Sequence, residues 1–174
     1  MTERSPVTAC VGLGANLGDA PAALREAARR IASLPGVLSV RMSSLYRSAP
    51  VDAGGPDYTN AAALVETTLP PLELLHGLQQ IERELGRVRP PGVHNAPRTI
   101  DLDLELYGGL QISLAPELVV PHPRMHERAF VLEPLLELDP EAVIPGRGPA
   151  RNFLGAVSQQ RIERLGSGGR GEGG

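Results

Sequence analysis

Along this chain the spacing of apolar residues changes in a set order, and that order limits the folds open to it. Val7–Leu13 is a short apolar run, followed by the Gly-rich turn Gly14–Asp19. Leu24, Ala27, Ala28, Ile31 and Leu34 then recur at helical spacing, so Pro21–Leu34 reads as an amphipathic helix. Pro21 suits a first helical position, Asp19 is placed to cap it, and Pro35-Gly36 stops it. Val37–Arg47 reads as a second strand, Pro50–Pro56 as a loop and Asp57–Thr67 as a third strand. Pro70-Pro71 opens a second helix that runs to about Leu85, with Leu74, Leu75, Leu78 and Ile81 on one side. Gly86–Pro97 is a long loop, and Thr99–Leu106 alternates as a fourth strand. The order βαββαβ predicts an α+β, ferredoxin-like core: an antiparallel sheet with helices packed on it. A further helix from about Met125 to Leu138 adds a C-terminal helical segment. A single domain is expected over residues 1–165, with 166–174 a Gly-rich disordered tail.

Composition removes several function classes. The 17 basic residues are all Arg, and 20 acids leave a net charge of −3. Without Lys there is no P-loop, no protein-kinase strand Lys and no Schiff base. One cysteine, Cys10, excludes a disulfide framework and a CxxC site, and it reads as a small buried hydrophobe. No apolar run reaches the ~18 residues of a membrane span, and the N-terminus lacks a signal peptide's apolar core. The expectation is a cytoplasmic protein with no membrane and no nucleic-acid partner.

The strongest local motif is Arg98-Thr99-Ile100-Asp101-Leu102-Asp103-Leu104. In a strand, positions i and i+2 lie ~6.6 Å apart on one face. Asp101 and Asp103 therefore project together, while Ile100, Leu102 and Leu104 face the core. Two carboxylates on one strand can hold one or two Mg²⁺, with water and phosphate oxygens completing the octahedra. Taken alone the pair also describes a solvated strand face, and Glu105 on that face reads as a third acid or as surface. The loop just before it carries Arg87, Arg89 and Arg98 among prolines, with no helical period. Guanidiniums beside carboxylates suit a metal-bound polyphosphate, and they equally suit surface ion pairs.

Other segments carry less specific signals. His122 and Arg128, in Val120-Pro121-His122-Pro123-Arg124-Met125-His126-Glu127-Arg128-Ala129-Phe130, could add anion contacts, whereas His126 reads as helix surface. The two histidines lack the HExxH pattern of zinc sites. Tyr58 and Asn60 sit two apart on one strand, an aromatic and an amide suited to the face and edge of a heterocycle. Phe130 could supply the other face, although its spacing also fits a core position on a helix. Gly12-Leu13-Gly14-Ala15-Asn16-Leu17-Gly18 is GxGxxxG, one residue too long for a dinucleotide fingerprint, and reads as a tight turn lining a site.

Taken in order, Gly12–Asp19, Tyr46–Val51, Asp57–Ala62, Gly86–Arg89, His94–Leu104 and Val120–Leu132 resemble the 6-hydroxymethyl-7,8-dihydropterin pyrophosphokinases of folate biosynthesis. The similarity extends over about residues 7–146, and HNAPRTIDLD with VPHPRMHERAFVLEPL behind it is its most specific part. The resemblance implies a ferredoxin-like α+β fold and transfer of the β,γ-diphosphoryl group of ATP to the pterin hydroxymethyl oxygen, releasing AMP. It implies that Asp101 and Asp103 hold two Mg²⁺ and that Arg87 and Arg98 act on the moving diphosphate. Gln79, Glu82, Arg89, Leu104, His122 and Arg128 fall at ATP-contact positions. Tyr58 and Phe130 match the aromatic pair around the pterin, Asn60 the amide on its edge, and Ser48, Ala49 and Val51 the rest of that pocket. A monomer acting on these two small molecules is expected. The chain departs from the family pattern in three places: Asn95 stands where some members carry Trp, Glu105 where the second residue after Asp103 is usually apolar, and Pro123 where some carry an aromatic. Two other readings stay open at this point. Ferredoxin-like domains also serve as RNA-binding or regulatory modules, and a different phosphotransferase could use the same acid pair.

Overall fold

The computed structural model describes residues 5–16, 18–49, 57–86 and 100–166. The first six elements are β1 (Val7–Ala15), α1 (Ala20–Ala32), β2 (Val37–Met42), β3 (Leu45–Ser48), β4 (Tyr58–Thr67) and α2 (Pro71–Gly86). There follow β5 (Asp101–Tyr107), a β6–β7 hairpin (Ile112–Leu114, Leu118–Val120) and α3 (Ala129–Leu138). The described residues close with the short pair β8 (Val143–Ile144) and β9 (Gly148–Pro149), two 3₁₀ turns, and β10 (Ile162–Gly166). The main sheet runs β10-β3-β4-β1-β5, with β2 also paired to β4, and its ladders are antiparallel. This is the expected ferredoxin-like order, extended by β10 on the β3 edge.

Local chemistry accounts for most boundaries. Asp19 Oδ1 accepts the Ala22 N–H at 3.1 Å and so caps α1 as predicted. The single strand expected over Val37–Arg47 is two strands, because Ser43 and Ser44 interrupt the ladder. Ser43 Oγ accepts the Ala62 N–H, and the Ser44 N–H turns to the Glu137 carboxylate. Side-chain acceptors offer the backbone an alternative to strand pairing, and the strand jogs there. The helix expected from Met125 starts later: Met125–Glu127 is a 3₁₀ turn, and α3 begins at Ala129.

The two faces of the sheet bury different things. On one, Leu24, Ala27 and Ile31 of α1 and Leu74, Leu78 and Ile81 of α2 pack on Ala9, Val11, Leu13, Leu102 and Leu104. On the other, α3 and the C-terminal turns bury Cys10, Ala62, Leu106, Met125, Leu132 and Leu135. Cys10 is buried as expected, and burial first, then nearby Glu105, pushes its thiol pKa up. α3 covers only part of this second face. The remainder is an open cleft.

Candidate functional site

The cleft has a volume of about 360 Å³ and lies over the ends of β1, β4 and β5 beside the N-terminus of α3. Its floor is bare backbone. Gly12 and Gly14 of β1 present no side chain, and each lies under a polar group. A Cβ on Gly14 would stand 3.1 Å from Asn60 Nδ2, and one on Gly12 would stand 2.7 Å from Glu105 Oε2. The glycines of the GxGxxxG turn thus serve close approach.

β5 supplies the acids. Asp101 and Asp103 pair in register with Gly14 and Gly12, line the cleft and are exposed, while Leu102 and Leu104 are buried beneath. Strand alternation therefore gives one segment both a core and a reactive edge. Among the described residues, no three His, Cys, Asp or Glu side chains converge into a protein-made metal cage. Two exposed carboxylates at an open cleft instead fit Mg²⁺, a hard cation that keeps waters and takes phosphate oxygens alongside one or two carboxylates.

The opposite walls carry the heterocycle candidates. Tyr58, Asn60, Ser48, Ala49 and Phe130 all line the cleft. Ser48 Oγ donates to Asn60 Oδ1 at 2.5 Å, which fixes the amide and leaves Nδ2 on the cleft side. The Arg128 guanidinium stands 5.6 Å over the Phe130 ring, so a cation is held at the cleft mouth on an aromatic face.

The nucleotide candidates are arranged around β5 more loosely. His122 is half-buried, and its backbone N–H donates to the Glu105 carbonyl at 2.9 Å. Burial, and behind it the Arg128 and Arg124 charges, lower the His122 pKa, with Asp103 pulling the other way. Its Nδ1 accepts the Arg124 N–H, which places the ring proton on Nε2. Glu82 lies outside the cleft, where its Oε2 accepts the Leu102 N–H at 2.7 Å along the edge of β5 that faces away from β1. Gln79 shares α2 with it, also away from the cleft lining. The Leu104 side chain is in the core, so only its backbone, on that same edge, can reach a ligand. Val51, Arg87, Arg89 and Arg98 lie outside the described residues, as does most of the expected Gly86–Pro97 loop.

Two assignments are corrected. Glu105 shares the cleft face with Asp101 and Asp103, as alternation expects, but it is not a surface residue, for it is 1% exposed. Val11 pairs with Leu104 and Cys10 with Leu106, so Glu105 is the extra residue of a β-bulge, and strict alternation fails just after it, at Leu106, which packs on the same side. His126 is not helix surface. Its side chain is 14% exposed and meets the Phe153 ring edge-on at 5.4 Å.

Other residues gave no readable signal along the chain. The Gln160 amide accepts the Ala129 N–H and donates to the Glu127 carbonyl, both at 2.8 Å, and so clamps the backbone on each side of Arg128. Glu137 accepts from Tyr46 OH, Ser44 N–H and Ser44 Oγ and pairs with Arg164, tying α3, β3 and β10 together. Nothing in the local spacing of 137 or 160 marks these roles, because every partner is remote in sequence.

The 7,8-dihydro-6-hydroxymethylpterin-pyrophosphokinase (HPPK) family model matches residues 10–140, from β1 to just beyond α3. Relatives named 2-amino-4-hydroxy-6-hydroxymethyldihydropteridine pyrophosphokinase agree with it. That of Haemophilus influenzae is 43% identical over 140 residues, covering 80% of this chain and 86% of the relative. That of Pseudomonas aeruginosa is 41% identical over 156 residues, covering 89% and 94%. In shape, the chain superposes on a Plasmodium falciparum HPPK-DHPS crystal structure with a TM-score of 0.71 at 15% identity, which supports the fold. The match covers 90% of this chain and 45% of that one, so the chain spans less than half of the larger protein. Because the matched stretch holds the glycine floor, the acid strand and the aromatic wall in one piece, the chain belongs to the 7,8-dihydro-6-hydroxymethylpterin-pyrophosphokinase family.

Proposed function

We propose that this cleft transfers the pyrophosphoryl group of ATP to 6-hydroxymethyl-7,8-dihydropterin with two Mg²⁺ held on Asp101 and Asp103. Pyrophosphokinase activity toward the hydroxymethyldihydropterin of folate biosynthesis is the activity of the family. The residue roles, the ion count and the cellular setting are our reading. The observation that supports it is the pair of β5 carboxylates opening on the same cleft as Tyr58, Asn60 and Phe130.

In the proposed reaction the pterin alcohol oxygen attacks the β-phosphorus. The bond from Pβ to the oxygen shared with Pα breaks, AMP leaves with that oxygen, and the alcohol proton is released. Tyr58 and Phe130 hold the ring faces, while Asn60, Ser48, Ala49 and Val51 hold its edge, which aims the hydroxymethyl group toward β5. Bound magnesium would neutralise phosphate charge and orient the oxygens for in-line attack. Arg128 is free to leave Phe130 for a phosphate, and His122 offers its Nε2–H. Gln79, Glu82, Arg89 and the Leu104 backbone hold the rest of the nucleotide, and Arg87 and Arg98 meet the charge that develops on the moving group. Positioning and fixed charge suffice for such chemistry with little covalent help from the protein. The reading also has a single catalytic domain over residues 1–165, acting as a monomer in the cytoplasm.

The test is formation of AMP, as opposed to ADP, from ATP, dependent on both Mg²⁺ and the reduced pterin alcohol. Pterin fluorescence titration with a non-hydrolysable ATP analogue completes it. Metal-dependent turnover without pterin binding would point to another phosphotransferase, and pterin binding without turnover to a binding module. Arg98→Ala is expected to lower kcat at least ~10²-fold, as loss of one transition-state donor does. A change confined to the pterin KM would reject that role.

A further inference from the structure

We propose that Glu105 is a specificity-determining residue of the cleft, its carboxyl hydrogen-bonding a ring heteroatom of the bound pterin. The inference rests on the pterin reading given above and adds a contact where the family resemblance expects an apolar side chain.

The bulge is the first support. It leaves Glu105 without a partner in the ladder with β1 and brings Leu106 onto the same side of the sheet, where alternation from Asp101 and Asp103 already places the Glu105 side chain; the Glu105 carbonyl accepts the His122 N–H. The second support is an unpaired buried group. Glu105 lines the cleft at 1% exposure, yet its Oε1 has no hydrogen-bond partner among the described residues. A polar group left in that state is a standing cost that a ligand atom can relieve.

The third support is fit. A β-carbon on Gly12 would collide with Glu105 Oε2, so glycine at 12 and a carboxyl at 105 match each other. Gly12 and Gly14 lie two residues apart on one face of β1, a separation of ~6.6 Å. Asn60 Nδ2 sits over Gly14 and the Glu105 carboxyl over Gly12, so the floor offers two polar groups at about the length of a fused bicyclic ring. With Asn60 Oδ1 held by Ser48, the amide presents donors, and Glu105 supplies the second point. A pterin carries nitrogen and oxygen along its whole edge and can meet both.

The test compares wild type with Glu105→Gln and Glu105→Leu. Pterin affinity is read by fluorescence at saturating non-hydrolysable ATP analogue, and affinity for the magnesium–analogue complex by calorimetry. Glu105→Leu is expected to weaken pterin binding at least ~10-fold with nucleotide affinity unchanged, and Glu105→Gln to recover most of the loss. In turnover, the pterin KM should rise more than kcat falls. Glu105→Leu should melt no lower than wild type, since an apolar side chain replaces an unpaired acid. Gly12→Ala, which must push the carboxyl aside, should give the same pterin-specific loss and add nothing to Glu105→Leu. Unchanged pterin affinity in Glu105→Leu, or a loss falling on the nucleotide instead, would overturn the proposal; so would an additive Gly12→Ala effect. If wild type makes no AMP from ATP and the pterin, the reading of the cleft itself fails, whatever the variants do.

Discussion

On the face of the sheet covered by α1 and α2, the strands contribute side chains that interlock with leucines and isoleucines, and Leu24, Ile31, Leu74 and Leu78 are wholly buried. On the opposite face the same strands contribute Gly12, Gly14, Asn60, Asp101 and Asp103, and a helix covers only part of them. β5 belongs to both: Leu102 and Leu104 point one way, Asp101 and Asp103 the other. The first face is specified by volume and apolarity, which many residues satisfy. The second leaves polar groups and bare backbone under a cleft, an arrangement that gains nothing for folding and is explained by what binds there. Loss of a residue from the first face should therefore appear as stability, and from the second as activity.

The largest expected effect lies on the cleft face. Asp101→Ala or Asp103→Ala should cut AMP formation at saturating Mg²⁺ by at least ~10³-fold, with little change in melting temperature. Near-normal turnover by either variant would break the distinction between faces. Leu78→Ala, wholly buried on the helix face, should cost about 2–5 kcal/mol by chemical denaturation, while kcat of the folded fraction stays near wild type. A large fall in kcat at unchanged stability would mean that the helix face also tunes the chemistry.

Glu137 sharpens the contrast, because it braces the cleft wall without lining it. Burial raises its pKa, but the hydrogen bonds from Tyr46 and Ser44 and the Arg164 charge outweigh it, and the net shift is downward. A depressed carboxylate adds stability above its unfolded value of ~4.3 and loses it as pH falls through the folded value. Glu137→Gln should cost about 1–3 kcal/mol at neutral pH. It should also flatten the acid limb of the stability curve, measured as denaturation midpoint against pH. An unaltered acid limb would show that the brace contributes nothing. The smallest effect is expected at the exposed cap of α1, where Asp19→Ala should cost ~1 kcal/mol and leave turnover untouched.

Much of this was legible before any coordinates. Period-two alternation at Ile100–Leu104 identified a strand with two acids on one face, and Tyr58 with Asn60 read as an aromatic and an amide on one strand face. These are local patterns, and β1, α1, β4, α2 and β5 follow them. Reading failed where a distant partner decided. Leu106 departs from alternation because β1 takes up one residue fewer across the bulge, and Glu105 beside it is buried under contacts from elsewhere in the chain. His126 is drawn inward by Phe153, and Ser44 leaves the ladder for Glu137. Gln160 reaches back to the start of α3, and β10 completes a sheet whose nearest strand is more than a hundred residues earlier.

By itself, then, the order of residues determined the βαββαβ core, the position of the acid pair and the exclusion of lysine chemistry. Periodicity and residue type act over a turn of helix or a few strand positions, and those are the distances over which a chain can be read directly. Tertiary structure alone decided that glycine floor, acid strand, aromatic wall and one buried carboxyl meet around a single cleft. Pairing register, bulges and burial are settled by contacts between segments far apart in the chain, and those contacts exist only once the sheet has closed.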